Sequence, residues 1–136
     1  MLPLLLLVLA GAIDMGRMAY LALHVTNAAR AGALYGAQSQ ATAADFGGMR
    51  TAAINNSNGI PLNSAPAASK SCRCSNWAAS TADVSNCSPV PACTSPGRLV
   101  TYVQVTTAAN YVPWFPYPGV PGTMTITQSS SMRVGQ

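Results

Sequence analysis

With 136 residues the chain has the length of one domain, or of one domain plus an extended element. Apolar residues make up 49% of it and charged residues only 7%, against about 25% charged in ordinary soluble domains, which excludes both a well-hydrated solitary globule and a disordered tail. The net charge of +4 comes from seven scattered Lys/Arg against three Asp, with no basic cluster, so nucleic acid is not an expected partner.

Residues Leu2 to Ile13 form an unbroken apolar run. That run is too short to cross a bilayer, which takes about 20 residues, and it lacks the basic lead and small-residue cleavage site of a signal peptide. Continued through Leu23 it becomes 22 residues, or about 33 Å of helix, enough to span. Asp14 then lies inside the apolar stretch, with Arg17 three residues on and able to pair with it. The alternative is that Asp14 and Arg17 meet partners on neighbouring copies of the chain.

The helical pattern persists beyond the span. Met18, Leu21, Val25, Ala28, Gly32 and Tyr35 line one face in steps of three and four. Only Thr26, Asn27 and Arg30 make a polar strip, and a helix apolar nearly all round must be buried nearly all round. A helix from Leu4 to about Gln38 is roughly 50 Å long, whereas the remaining residues make a body about 30 Å across. About 20 Å of apolar rod must therefore find lipid or other rods. Ala12/Gly16, Ala28/Gly32 and Gly32/Gly36 are spaced by four, a pattern that permits close helix–helix approach. These positions, with Asp14 and Arg17, are the candidate assembly residues. His24 stands alone on the rod without a second ligand in helical reach.

Thr42 to Asp45 resembles a capping box and opens a short helix over 43–56, stopped by the turn residues Asn55 to Gly59. From Ile60 to Gly97 no period is sustained, and the stretch reads as a long loop. Cys72, Cys74, Cys87 and Cys93 all lie inside it and read as two disulfides of an oxidising compartment. Cys72 and Cys74 are too close to pair with each other, which leaves two connectivities open. Leu99 to Thr107 alternates as a strand with one buried face, and Thr123 to Val134 does the same. The Pro- and aromatic-rich link between them is a rigid extended connection that either covers the sheet or forms a contact patch for a neighbouring subunit or a surface.

The segment LPLLLLVLAGAIDMGRMAYLALHVTNAARAGALYGA resembles the N-terminal signature of the TadE-like pilins of tight-adherence (type IVc) pilus systems. The matching positions are Pro3, Asp14, Gly16-Arg17 and Asn27-Ala28-Ala29-Arg30. Paired cysteines, a VxV strand, a Tyr/Pro-rich link and a closing Thr/Ser strand ending in Met132-Arg133-Val134 extend the resemblance. Family members carry a prepilin-peptidase site and an acidic residue just before the proline. Here Met1 stands two residues before Pro3, so a processed, truncated or differently matured N-terminus is expected. Asp14 would then be the carboxylate offered to a neighbour's N-terminal amine.

The resemblance implies a pilin-like α+β fold. Residues 1–38 would form the membrane and filament-core helix, and 39–136 a small disulfide-pinned head with an antiparallel β pair. It implies a structural filament subunit whose partners are itself, the inner membrane and the pilus assembly machinery. Its place would be an extracellular filament on a bacterial surface. A minor pseudopilin that primes or anchors a pilus is one alternative. A membrane-tethered periplasmic module binding a glycan with Trp77, Trp114, Phe115 and Tyr117 is another. No cofactor, metal site or catalytic residue is expected, since Asp14 and His24 are ten residues apart on one helix and cannot act as an acid–base pair.

Overall fold

The computed structural model describes residues 2–75, 84–90, 92–93, 97–115, 119 and 121–135. Its first element, α1 (Leu2–Ala37), is a single continuous helix. Pro3 stands in its first turn, where a missing N–H costs nothing, and Leu, Ala and Met dominate the remainder. A short 3₁₀ turn, Thr42–Ala44, leads into α2 (Phe46–Asn55). Four strands follow: β1 (Ala67–Cys74), the two-residue β2 (Val84–Ser85), β3 (Leu99–Tyr111) and β4 (Met124–Arg133). They form one antiparallel sheet in the order β2-β1-β3-β4. The architecture is the expected α+β, a long apolar helix against a small disulfide-bearing sheet.

Three boundaries depart from the sequence reading. The capping residue of α2 is Asp45, not Thr42: its side chain accepts from the Gly48 N–H at 2.9 Å. That N–H and the Tyr35 hydroxyl, 2.9 Å away, hold the Asp45 carboxyl below the usual carboxylate range. Thr42 instead accepts from the Ser39 N–H and stabilises the turn before the helix. The supposed loop over 60–97 contains β1, whose small and polar residues carry no hydrophobic alternation and whose extension rests on pairing with β3 from Ala67↔Thr106 to Cys74↔Leu99. β3 runs four residues beyond Thr107, because Ala108 to Tyr111 pair with β4 despite the poor strand propensity of alanine. The expected β pair is therefore one side of a larger sheet, with β3 paired on both edges and β4 at the outside.

The disulfides are Cys72–Cys87 and Cys74–Cys93. Cys72 and Cys74 lie two apart on β1 and so share a face. After β2, Asn86 and Cys87 adopt positive φ (57° and 55°), which turns the chain back upon Cys72. Each bridge closes 15 or 19 residues, stabilising the head by about 3 kcal/mol apiece in the chain-entropy account.

One face of β3 is continuous core. Thr101, Val103, Val105, Thr107, Ala109 and Tyr111 are buried against α1, while Gln104 and Asn110 on the other face are exposed. Val25, Ala28, Ala29 and Ala33 of α1 are fully shielded. Ala33 shares one cluster with Ala43, Met49, Ala53, Val103, Val105 and Val134. The boundary drawn between residues 38 and 39 is thus no packing boundary: the last two thirds of α1 are the centre of the head. The chain end closes the unit, with the Gly135 N–H donating to the Ala37 carbonyl at 2.9 Å.

Candidate functional site: the junction of rod and head

Before Asp14 the helix leaves the head. Leu4, Leu5, Leu6, Leu7, Val8, Leu9 and Ile13 are between 48% and 69% exposed. The free segment from Leu2 to Ile13 is about 18 Å long, close to the length of rod that the burial argument left bare. The further face of α1 is open too, at Met15, Tyr20, Leu23 and Leu34. The helix is apolar and long enough to cross a membrane, and very little of its most apolar window is buried.

Asp14 marks the exit and is itself only 5% exposed. Its Oδ1 accepts from the Tyr111 hydroxyl at 2.9 Å, from the Trp114 N–H at 3.3 Å and from Arg17 Nη1 at 3.2 Å. The Tyr111 hydroxyl also reaches the Asp14 carbonyl at 2.9 Å. Arg17 lies with its guanidinium 4.0 Å from the centre of the Trp114 ring, a cation–π stack. Thus one carboxylate ties the end of β3 and the start of the β3–β4 connection to the helix. A second tie lies higher, where the Thr107 hydroxyl donates to the Val25 carbonyl at 2.8 Å. Burying a charge is tolerable only when it is paired and hydrogen-bonded; Oδ1 meets both conditions inside the chain, while Oδ2 is buried with no hydrogen-bond partner among the described residues.

The other candidate assembly residues divide into two groups. Ala28, Gly32 and Gly36 are buried against the chain's own α2 and β3. A Cβ at Gly32 would stand 2.7 Å from the Met49 carbonyl oxygen, and one at Gly36 would collide with the Met49 side chain. The small-residue spacing there serves a crossing within the subunit. Gly16 is exposed, with nothing within 4 Å of a Cβ built on it. His24 meets Tyr20 edge to face and Asn58 at 3.4 Å. Among the described residues, no three His, Cys, Asp or Glu gather where they could hold a metal. Of the aromatics weighed for a glycan, Trp114 and Phe115 sit at the rod exit, while Trp77 and Tyr117 lie outside the described residues.

Residues 1–34 match the family model described as TadE-like protein. No curated protein and no solved structure matches the chain. The TadE-like segment covers the free rod, Asp14, Arg17 and the Asn27–Arg30 run, and it ends within the part of α1 that the head enfolds. Of the partners of Asp14, sequence reasoning named Arg17, which pairs with it, and missed Tyr111 and Trp114. Tyr111 was discoverable by continuing the inward alternation of Thr101, Val103 and Val105, since it falls on the same odd register. Trp114 offers only its backbone N–H to the carboxylate, and no side-chain pattern signals that.

The tie can be measured. Replacing Tyr111 by Phe removes one hydroxyl that donates to a carboxylate, and is expected to lower unfolding stability in mild detergent by about 1–3 kcal/mol. Tyr20→Phe, at an exposed ring, should shift it by less than about 0.5 kcal/mol. Equal, negligible effects from the two would show that Asp14 does not hold the connection.

Proposed function

We propose that this chain is a pilin: the structural subunit of a type IV pilus-like extracellular filament, held first in the bacterial inner membrane and then drawn into a helical homopolymer by an assembly machinery. The observation that carries this reading is the bare rod. Seven large apolar side chains project beyond a head that cannot fold back over them. In the membrane lipid covers them, and in a filament the rods of sister subunits do. The TadE-like match of residues 1–34 falls on this same rod and supports a Tad pilus as the setting. The head supports it as well. Its outer β3 face and its β4 edge are mostly Ser, Thr, Gln and Asn, with few charges to repel a neighbouring copy.

Gly16 is an open small residue where the rod leaves the head, so Gly16→Val tests subunit contact separately from folding. The variant is expected to unfold within about 0.5 kcal/mol of the parent and to yield few filaments. The readout is the amount of this chain in filaments sheared from cells. Normal filaments from the variant would remove Gly16 from the interface. Trace amounts of the parent chain in filaments built of another protein would make it a priming or anchoring pseudopilin.

A further inference from the structure

The base of the head carries a surface that the filament reading does not use. At the level of Asp14, the connection after β3 brings Val112 (56% exposed), Trp114 (66%) and Phe115 (48%) beside the rod. Arg17 stacks on Trp114 and is paired with Asp14, so these two opposite charges cancel. Beside them opens a cleft of about 410 Å³ lined by Gly11, Met15, Met18, Pro113 and Met124 together with Asp14 and Tyr111, whose polar atoms are turned away from its open surface.

We infer that this base is a membrane-interface belt: Trp114 and Phe115 seat at the headgroup level of the bilayer, and the membrane surface crosses α1 at Asp14–Arg17. Trp, Tyr and Arg favour that depth because each joins an apolar body to a polar tip. The occupant is lipid because the surface is continuous with the bare leucine run. The part of α1 below it, Leu2 to Ile13, is apolar throughout. On this assignment the membrane-buried part of α1 ends at Asp14–Arg17 rather than at Leu23. Val25 and its neighbours are packed on β3, and a sheet whose other face carries Gln104 and Asn110 cannot enter hydrocarbon.

The inference rests on the membrane-held state of the proposed pilin, and one experiment separates the two. The full chain carrying Trp77→Phe, with Trp114 as its sole tryptophan, is reconstituted into phosphatidylcholine–phosphatidylglycerol vesicles brominated at different acyl depths. Trp114 emission is expected to shift to the blue and to be quenched most by bromines nearest the headgroups. Emission unmoved by any bromine and open to aqueous iodide, on chains that still float with vesicles, overturns the belt and leaves the anchor. Strongest quenching by the deepest bromines overturns it in favour of a span running past Asp14. Protection from both bromine and iodide points to a second copy on the belt and overturns it too. Failure to float with vesicles removes the membrane-held state itself. If Trp77→Phe does not fold, the difference between the parent chain and Trp114→Phe reads the same signal.

Discussion

A chain begun at Ala12 is expected to fold and to remain monomeric in plain buffer, whereas one begun at Ala37 is expected not to fold at all. The first cut removes the leucine run and leaves every buried residue of α1 in place. The side chains from Leu4 to Leu9, with Ile13, expose about half or more of their surface to solvent. Covering them is worth on the order of 7–10 kcal/mol per subunit, enough to drive the full chain into lipid, detergent or its own copies. Most of that drive disappears with the run. The second cut removes Val25, Ala28, Ala29 and Ala33, which are the other half of the core. Val103, Val105 and Tyr111 would then face water at a cost of roughly 5–8 kcal/mol, comparable to the whole stability of a small domain. Neither α2, at ten residues, nor the small sheet stands alone without a helix packed on it. Sedimentation velocity and near-ultraviolet circular dichroism of the two fragments decide the matter. A folded fragment from Ala37 would show that the head is independent of the helix. Aggregation of the fragment from Ala12 would show that the drive to associate lies elsewhere than in the leucine run.

Substitution of Gly32 by Val is expected to be the most damaging single change in the helix. Any Cβ there stands 2.7 Å from the backbone oxygen of Met49, with Ala53 Cβ at 3.2 Å on the same side. A backbone carbonyl cannot rotate aside as a side chain can, so α1 and α2 must separate and the core around Met49 must open. Such overpacking costs about 1–3 kcal/mol or more, and valine recovers only a fraction of glycine's helix penalty. Gly36→Ala meets chiefly the flexible end of Met49. Its helix-propensity gain of about 1 kcal/mol offsets the adjustment, leaving stability nearly unchanged. Gly16→Ala, with open space around it, should gain about 0.5–1 kcal/mol. Denaturant unfolding of the three variants in one detergent tests the ranking. A Gly32→Val protein as stable as the parent would mean that the helix crossing is looser than these distances.

The rod, the short helix, the two long strands and the presence of two disulfides were all legible in the residues. Each leaves a local mark: apolar side chains at helical spacing, turn residues at an end, β-branched alternation, an even count of cysteines in one polar stretch. β1 leaves none, since AASKSCRC could be a loop, and only an open edge of β3 makes it a strand. Cysteine pairing is of the same kind, because both connectivities close similar loops and the tight turn after β2 selects one. The candidate site divides in the same way. Asp14, Arg17 and Gly16 could be singled out from their places in the apolar run, and so could the pairing of Asp14 with Arg17, but the ties to Tyr111 and Trp114 could not.

By itself, then, the sequence determined that this chain bears a helix too apolar and too long for its own head to shelter, and a TadE-like start. The tertiary structure decided where the sheltering stops. A run of small residues every four positions states that something approaches closely without saying whether it is the same chain or another. Gly32 and Gly36 meet Met49 of their own subunit, and Gly16 meets nothing. That distinction is three-dimensional because it depends on which surfaces the sheet and α2 have already covered, and no local pattern of residues records it.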